Sequence, residues 1–157
     1  MKTVFKLFGG VFVAVLALGV VFLEGMRRKS PVVLDAVRKT SRATKQVVLK
    51  SAGTAGSTSS VVHHVGRKSG TSYETPIDAV PTDDGFVIAL PYGANTDWLK
   101  NVLASGTATI VHDGKAHVVG KPEVVPRVDA EHLFPESTQR TLRLFKVDIC
   151  LRVRSEA

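Results

Sequence analysis

A run of seventeen uncharged residues near the N-terminus constrains this chain more than any other feature. It extends from Leu7 to Leu23, with Lys6 before it and Glu24 after it. At a rise of about 1.5 Å per residue, a helix of this length is at the short end of what crosses a hydrocarbon core of about 30 Å. A snorkelling Lys6 extends that reach. The run therefore predicts a retained membrane helix, with a cleaved signal peptide and a buried helix of a soluble protein as the alternatives.

The positive charge of the chain lies directly after this run. The formal net charge is +7, and residues 27–50 carry eight basic side chains against one acidic side chain. From residue 51 onward eleven basic side chains face twelve acidic ones, so the remainder is close to neutral. A basic segment beside an apolar run is attracted to anionic lipid head groups and favours the cytoplasmic side. We therefore expect a cell-membrane protein, single-pass or peripheral, with its globular domain on the cytoplasmic side, and no nucleic-acid partner.

The basic segment has the spacing of an amphipathic helix. Within residues 31–50, Val33, Val37, Thr44 and Val48 recur at helical intervals, and the opposite face is basic. Such a pattern is typical of a helix that lies at a lipid interface. The nine residues that follow are small and polar, which predicts a linker or flexible loop.

From residue 60 onward the pattern changes to short apolar runs separated by turn residues. Asp113-Gly114 predicts a two-residue hairpin turn. We expect five or six antiparallel strands with a short helix among them, a mainly β fold with short helices that suits a small barrel. The strands are expected at Ser60–Val65, Thr71–Val80, Phe86–Leu90, Thr107–Val111, Ala116–Val119 and Phe145–Val153, the helix at Thr96–Ala104, and a helical turn at residues 129–134. The predicted domains are thus a membrane helix (1–26), a basic helix with a linker (27–59) and a globular domain (60–157).

Four short motifs lie in order within this domain. They are Gly66-Arg67-Lys68-Ser69-Gly70, Pro76-Ile77, Leu90-Pro91-Tyr92-Gly93 and Asp97-Trp98-Leu99-Lys100-Asn101. Together they resemble the deazaflavin-dependent nitroreductase family, including its quinone reductase type, over roughly residues 60–125. The resemblance implies a split β-barrel of the FMN-binding kind, an oxidoreductase activity and coenzyme F-420, an 8-hydroxy-5-deazaflavin, as cofactor.

The glycine-bracketed loop has chemistry of its own. Two cations and a hydroxyl can donate to phosphate or carboxylate oxygens, and the glycines let the backbone approach a ligand closely. Where many relatives carry Gly-x-Pro-Arg, this chain has Gly70-Thr71-Ser72-Tyr73, which removes one expected cation. The cofactor-binding residues that the resemblance implies are Arg67, Lys68, Ser69, Tyr73, Pro76, Ile77, Pro91, Tyr92, Gly93, Trp98 and Asn101.

The resemblance also implies a mechanism that needs few protein groups. The cofactor carries the hydride, and the protein supplies binding and orientation. Tyr92 and Tyr73 are the candidate catalytic residues because a phenol in the matching segment can donate a proton or hydrogen bond. We expect a small lipophilic acceptor such as a quinone or nitro compound, anionic lipids as a further partner and a homodimer as a possible assembly. The alternatives are a non-catalytic module that binds FMN or haem and a structural membrane adaptor.

Metal and disulfide chemistry have little support in the sequence. His63 and His64 are adjacent on a predicted strand, so their side chains point to opposite faces and cannot chelate one ion together. His112 and His117 flank the predicted hairpin out of direct register. The single cysteine, Cys150, lies between two apolar residues and is expected to be buried.

Overall fold

The fold is seen in a computed structural model that describes residues 18–156, with Arg42 described by its backbone alone. Helical residues 18–27 precede helix α1 (Pro31–Leu49), and the later helices are α2 (Asp97–Ser105), α3 (Arg127–Ala130) and α4 (Glu136–Leu144). A short 3-10 helix occupies Glu131–Leu133. The strands are β1 (Ser60–Val65), β2 (Ser72–Ile77), β3 (Ala79–Thr82), β4 (Gly85–Ala89), β5 (Thr107–His112), β6 (Lys115–Pro126) and β7 (Ile149–Ser155).

All seven strands form one antiparallel sheet in the order β2-β1-β5-β6-β7-β4-β3. The twelve-residue β6 joins its two halves, because its first part pairs with β5 and its second part with β7. Its register shifts between Gly120 and Glu123, and Lys121 has a φ of +50°. An extra residue of this kind bends a strand and increases its twist, which suits a curled sheet. The prediction of a mainly β fold with short helices is confirmed.

The structure has one more strand than the upper estimate from sequence. The run Thr71–Val80 was predicted as one strand, but it divides at Asp78 into β2 and β3. These two strands lie at opposite edges of the sheet, so the chain crosses from one half to the other at this point. A continuous extended pattern cannot reveal such a crossing, because both parts have the same local conformation.

Two apolar clusters stabilise the sheet. The larger lies between the sheet and α2, and its fully buried members include Val62, Leu99, Ile110 and Leu151. The smaller cluster packs α3, the 3-10 helix and α4 against β4 and β7. Cys150 belongs to it and is 0% exposed, which confirms the predicted burial of this thiol.

The C-terminal part of the prediction needs correction. Helix α4 was not predicted, and the closing strand begins at Ile149 rather than Phe145. Phe145 and Val147 instead end the helix, because their N–H groups donate to Thr141 O (3.0 Å) and Leu142 O (2.9 Å). The apolar alternation that predicted a strand there belongs instead to the C-terminus of helix α4 and the turn that follows it. The predicted turn at 129–134 is observed as α3 and the 3-10 helix.

Other local predictions are confirmed. Helix α2 ends at Ser105, and Gly106 follows it with a left-handed φ of +75°. His112 pairs with Lys115 across the β5–β6 turn, while Asp113 and Gly114 have positive φ values of 48° and 74°. Positive φ at both central residues is what a type I′ turn requires, so the turn pair matches its sequence.

The segment after α1 is held in place rather than forming a free linker. Gly114 N donates to Gly53 O at 2.7 Å, and Gly56 N donates to Asp113 Oδ1 at 2.8 Å. Ala52 is buried. The small polar residues that predicted flexibility therefore form turns against the β5–β6 hairpin.

Helix α1 presents an unexpected face to the sheet. Val33 and Val37 are partly buried as the amphipathic pattern suggests, but Thr44 and Val48 of the same predicted stripe are exposed. The partly buried positions continue instead through Lys45 and Leu49. Leu34 and Arg38 are also at least partly buried, and at helical spacing they lie on the same side as Lys45 and Leu49. One side of the helix therefore faces inward, and the predicted stripe lies at its edge.

The predicted membrane segment 7–23 lies mostly outside the described residues. Between residues 18 and 156 no helix combines the length and the apolar character that a bilayer crossing needs. Pro31 occupies the first turn of α1 after the N-cap Ser30, as predicted. Lys29 Nζ lies 2.5 Å from Asp148 Oδ2, so the chain before α1 is joined to the chain before β7.

Candidate functional site

The glycine-bracketed loop connects β1 to β2 and is closed by its own backbone. Gly66 N donates to Thr71 O and Gly70 N donates to Gly66 O, both at 2.8 Å. Gly70 has a φ of +66°, a conformation that a residue with a Cβ adopts only with strain. The loop is therefore a compact hairpin turn beside the N-terminal part of α2.

Arg67 points from this loop toward α2. Its guanidinium donates to Asn101 Oδ1 at 2.8 Å and lies 3.2 Å from Asp97 Oδ1, and its backbone N–H also donates to Asn101 Oδ1 at 3.2 Å. The charge of Arg67 is thus partly compensated by Asp97 within the protein. Arg67 therefore holds the loop on the helix, and its predicted anion-binding role stays a prediction.

Asn101 links the loop to a buried histidine. Its side-chain nitrogen lies 3.1 Å from His64 Nδ1, and His64 Nε2 lies 3.1 Å from Thr75 Oγ1. Because Asn101 Oδ1 accepts from Arg67, the amide nitrogen must be the donor to His64. The Nδ1 atom therefore accepts, the ring is neutral, and its proton lies on Nε2 facing Thr75. Burial, followed by the charges of Lys45 and His63, lowers the pKa of His64.

Tyr73 covers the other side of the loop. Its ring stacks on His64 with a centroid distance of 5.7 Å, and its phenol oxygen lies 3.4 Å from Ser69 Oγ. A Cβ on Gly66 would lie 2.5 Å from Ser69 Oγ and 2.8 Å from Tyr73 Cε2. Gly66 is therefore required by this packing, and Tyr73 remains 42% exposed at the surface of the site.

Two backbone donors and one cation of the loop are left for a ligand. Within residues 18–156, the N–H groups of Lys68 and Ser69 have no acceptor, and the exposed Lys68 side chain has no carboxylate partner. Two neighbouring backbone N–H groups and an ammonium form a suitable donor set for a phosphate or carboxylate. The residues present therefore fit the anionic part of coenzyme F-420, and they fit the phosphate of FMN equally.

The predicted segment around Tyr92 lies at the end of β4. Gly93 has a φ of +73° and its N–H donates to Leu90 O at 2.9 Å, so this segment forms a turn. Arg38 of α1 reaches the Tyr92 carbonyl oxygen at 3.5 Å, and Pro91 and Tyr92 are partly buried. Thr96 Oγ1, at the start of α2, is buried without a hydrogen-bond partner in the described structure. A polar ligand group could satisfy it.

The remaining predicted residues have structural surroundings. Trp98 packs against the larger core cluster, and Ile77 is a buried member of it. Pro76 pairs with Val61 on β2, an edge strand, where a proline is tolerated. The structure thus joins Arg67 to Asn101 and Ser69 to Tyr73, with His64 between the two pairs. Among residues 18–156 no side-chain hydrogen bond or ring pair links Trp98, Pro76 or Ile77 to this group.

Sequence reasoning missed three residues of the network, which are His64, Thr75 and Asp97. Strand parity did not reveal His64, because Val61 and Val62 are both buried although they point to opposite faces. Its partners were not readable either, because they come from a second strand and a helix. As predicted, His63 points the other way, toward Glu74, at 3.6 Å.

No cluster of three or more metal-ligating side chains occurs within residues 18–156. His112 and His117 each pack edge-on against Phe86, with centroid distances of 5.6 and 5.2 Å. An open cavity of about 410 Å³ lies at the start of β6 and the end of β7, and none of the network residues lines it.

No known protein-family profile and no curated protein matches this chain. Among solved structures, it is similar to the haem storage protein HutZ of Vibrio cholerae, with 10% identity and a TM-score of 0.49 over 64% of this chain and 82% of HutZ. A Clostridium acetobutylicum protein related to general stress protein 26 of B. subtilis, of the pyridoxinephosphate oxidase family, has 16% identity and a TM-score of 0.48, covering 71% and 80%. An F-420-dependent reductase has 15% identity and a TM-score of 0.38, covering 63% and 94%. Likenesses of this degree identify neither the family nor the ligand of this chain.

Proposed function

We propose that this protein is an oxidoreductase that binds reduced coenzyme F-420 and reduces a lipophilic acceptor such as a quinone or a nitro compound. The observation that carries the proposal is the donor set of the β1–β2 loop. In the described part of the chain, the Lys68 ammonium and the Lys68 and Ser69 N–H groups have no protein acceptor. The coenzyme offers a phosphodiester and several carboxylates to such donors. Bound there, it would supply a hydride from its deazaflavin ring.

The protein's own part in the reaction is to hold the loop and to place a phenol beside it. The contacts of Arg67 with Asn101 and Asp97 fix the loop on α2, so its N–H groups need little ordering when a ligand binds. The Tyr73 phenol is partly exposed beside Ser69 and can donate a hydrogen bond or proton to a reduced product. Tyr92 is the second candidate for this role.

The choice of a lipophilic acceptor rests on location. The apolar run 7–23 and the basic residues after it would hold the domain against lipid on the cytoplasmic side. An enzyme held there meets apolar substrates at a raised local concentration. This part of the proposal depends on the N-terminal segment and not on the loop.

A fluorescence titration of the full-length protein with coenzyme F-420, run beside FMN, tests cofactor binding. We expect saturable quenching by F-420, weakened about tenfold by Lys68→Gln because one charge-assisted contact is lost. Lys115→Gln removes an exposed cation at the far hairpin and should leave the affinity unchanged. Binding of FMN alone, or of neither ligand, would overturn the deazaflavin assignment.

Turnover is tested with the reduced coenzyme and a soluble quinone. We expect Tyr73→Phe or Tyr92→Phe to lower kcat while the affinity for the coenzyme changes little, since a proton donor acts in the transition state. Unchanged turnover and product in both variants would remove the phenols from the mechanism.

A module that binds a flavin phosphate or haem without catalysis is the second candidate. The same donor set favours it, because the Lys68 and Ser69 N–H groups fit an FMN phosphate as well as a phosphodiester. Suppose that FMN binds in the titration, but the protein with bound FMN and an added reductant reduces no quinone. This outcome would support the binding function without catalysis.

A further inference from the structure

The side-chain amide of Asn101 has two possible orientations, and its neighbours select one of them. In the structure the amide oxygen faces Arg67, whose backbone N–H (3.2 Å) and guanidinium (2.8 Å) both donate to it. The amide nitrogen faces His64 Nδ1 at 3.1 Å. A half-turn about the Cβ–Cγ bond exchanges oxygen and nitrogen and leaves the outline of the side chain nearly unchanged. Hydrogen bonding therefore decides which orientation is stable.

The protonation state of His64 determines which of the two orientations satisfies the ring. The neutral ring accepts from Asn101 at Nδ1 and donates from Nε2 to Thr75 Oγ1, which lies at 3.1 Å. A protonated ring donates from both nitrogens, so its Nδ1–H would face the N–H of the amide. Both His64 and Asn101 are buried, and two donors that face each other in the interior are unfavourable. The protonated ring therefore requires the amide oxygen on its side.

The reversed amide would release Arg67. Its nitrogen would face the N–H and the guanidinium of the arginine, and all three groups are donors. Of its hydrogen bonds within residues 18–156, Arg67 would keep only those to Asp97, from Nη2 to Oδ1 (3.2 Å) and from Nη1 to the backbone oxygen (3.5 Å). The Asp97 side chain is 79% exposed, and an ion pair at such a position contributes little. The loop is thus held firmly on α2 only while the ring is neutral.

The surroundings of His64 keep the ring neutral near neutral pH. The charged and titratable side chains around it are Lys45 on α1, His63 on β1, Tyr73 and Glu74 on β2 and, beyond Asn101, Arg67 and Asp97. Burial, followed by the charges of Lys45 and His63, lowers the pKa of His64. No salt bridge of residues 18–156 includes His64, and Glu74 lies 3.6 Å from His63 instead. The ring therefore takes up its proton only on acidification.

We propose that His64 is a positioning residue for the β1–β2 loop: the neutral ring keeps the loop on α2, and a proton on the ring turns the Asn101 amide and frees Arg67. A loop held on α2 presents the Lys68 and Ser69 N–H groups in one arrangement, whereas a released loop has to be ordered when an anion binds. Binding of a proton at His64 and binding of an anion on the loop therefore oppose each other. This coupling holds for any oxyanion on the loop, so it goes beyond the deazaflavin assignment.

The release of Arg67 is tested by NMR on the full-length protein between pH 7.5 and pH 5. We expect the Arg67 amide signal to shift, and its exchange with solvent to become faster, with the same midpoint as the ring C–H signals of His64. His64→Gln places a neutral amide at this position and should make the Arg67 signal independent of pH. His63→Gln is the matched control, because His63 is the adjacent histidine on the opposite face of β1, and it should keep the wild-type response.

A second variant separates the turn of the amide from the charge of the ring. Asn101→Asp offers one oxygen to Arg67 and another to His64, so no reversal is needed. In this variant the ring should still titrate while the Arg67 signal stays constant. A wild-type Arg67 signal that does not follow the His64 titration would overturn the proposal, as would a ring that stays neutral down to pH 5.

The effect on anion binding is measured with inorganic sulfate, which keeps both charges over this pH range. Its affinity is followed through the amide signals of Lys68 and Ser69. We expect binding to be at least about threefold weaker at pH 5 than at pH 7.5 in the wild type, and to change less in His64→Gln. The added charge alone would act in the opposite direction, so an affinity that rises or stays constant on acidification would overturn the coupling. Failure of coenzyme F-420 to bind would overturn the proposed function and leave this coupling standing.

Discussion

Asn101 holds Arg67 at two points, because one amide oxygen accepts from both the backbone N–H (3.2 Å) and the guanidinium (2.8 Å) of the arginine. Asn101 itself is buried, with an exposed fraction of 5%. The loop that offers donors to a ligand is therefore positioned by an interaction in the interior rather than by its own turn alone.

Removing the Asn101 amide should destabilise the fold. Asn101→Ala leaves the part-buried Arg67 N–H and the buried His64 Nδ1 without partners. We expect the free energy of unfolding to fall by about 2 kcal/mol, measured by urea denaturation. Asn95→Ala removes an exposed amide from the preceding turn and should change it by less than about 0.5 kcal/mol. Equal losses in the two variants would contradict the network.

The buried histidine should make stability depend on pH. The pKa of His64 is lowered below 6.5, so the unfolded chain binds this proton more readily than the folded one. Its contribution is therefore complete above the unfolded value and is lost as the pH falls through the lowered folded value. We expect the loss of unfolding free energy between pH 7.5 and pH 5 to be smaller in His64→Gln than in the wild type. His63→Gln should not reduce it, and equal curves for wild type and His64→Gln would contradict the assignment.

Replacing the Asn101 amide, which donates to His64, by a carboxylate, which accepts, should favour the protonated form of the His64 ring. Asn101→Asp keeps an oxygen for Arg67 but places a second one against His64 Nδ1, which now needs a proton. We expect the pKa of His64 to be higher than in the wild type, followed by NMR titration of the ring C–H signals. The four other histidines of the chain serve as internal controls. An unshifted His64 titration would show that the neutral tautomer does not depend on Asn101.

Gly66 and Tyr73 should be energetically coupled. Gly66→Ala brings a Cβ to 2.8 Å from the Tyr73 ring and is expected to destabilise the fold by about 1–3 kcal/mol. In a Tyr73→Ala background the ring is absent, so the same substitution should cost clearly less. The double-mutant cycle is measured by urea unfolding, and strict additivity would show that the loop relaxes without the tyrosine.

The single thiol should be unreactive in the folded protein. Burial raises the pKa of Cys150 to about 11, against a smaller opposing effect of Arg127, and the side chain is not accessible. We expect an aromatic disulfide reagent at pH 8 to label the folded chain at least about a hundredfold more slowly than the chain in urea. Comparable rates would mean that the smaller apolar cluster, which contains Cys150, opens readily.

The sequence predicted features that depend on neighbouring residues better than features that depend on distant ones. The Asp113-Gly114 turn and the end of α2 at Gly106 follow from local backbone preferences and are observed as expected. The division of the run at Asp78 and the network of His64, Asn101 and Arg67 join segments far apart in the chain. Local pattern carries no information on those contacts, so the attachment of Arg67 to Asp97 and Asn101 was not predicted, and its role toward a ligand stays a prediction.

Helix α1 is fastened at both ends, by Lys29 to Asp148 on one side and by the hydrogen bonds of Gly53 and Gly56 to the β5–β6 hairpin on the other. A helix tethered only at one end would have to search for its position each time a ligand arrived. Here both ends of α1 are held by contacts within the domain, so the helix keeps its place on the sheet before any ligand binds.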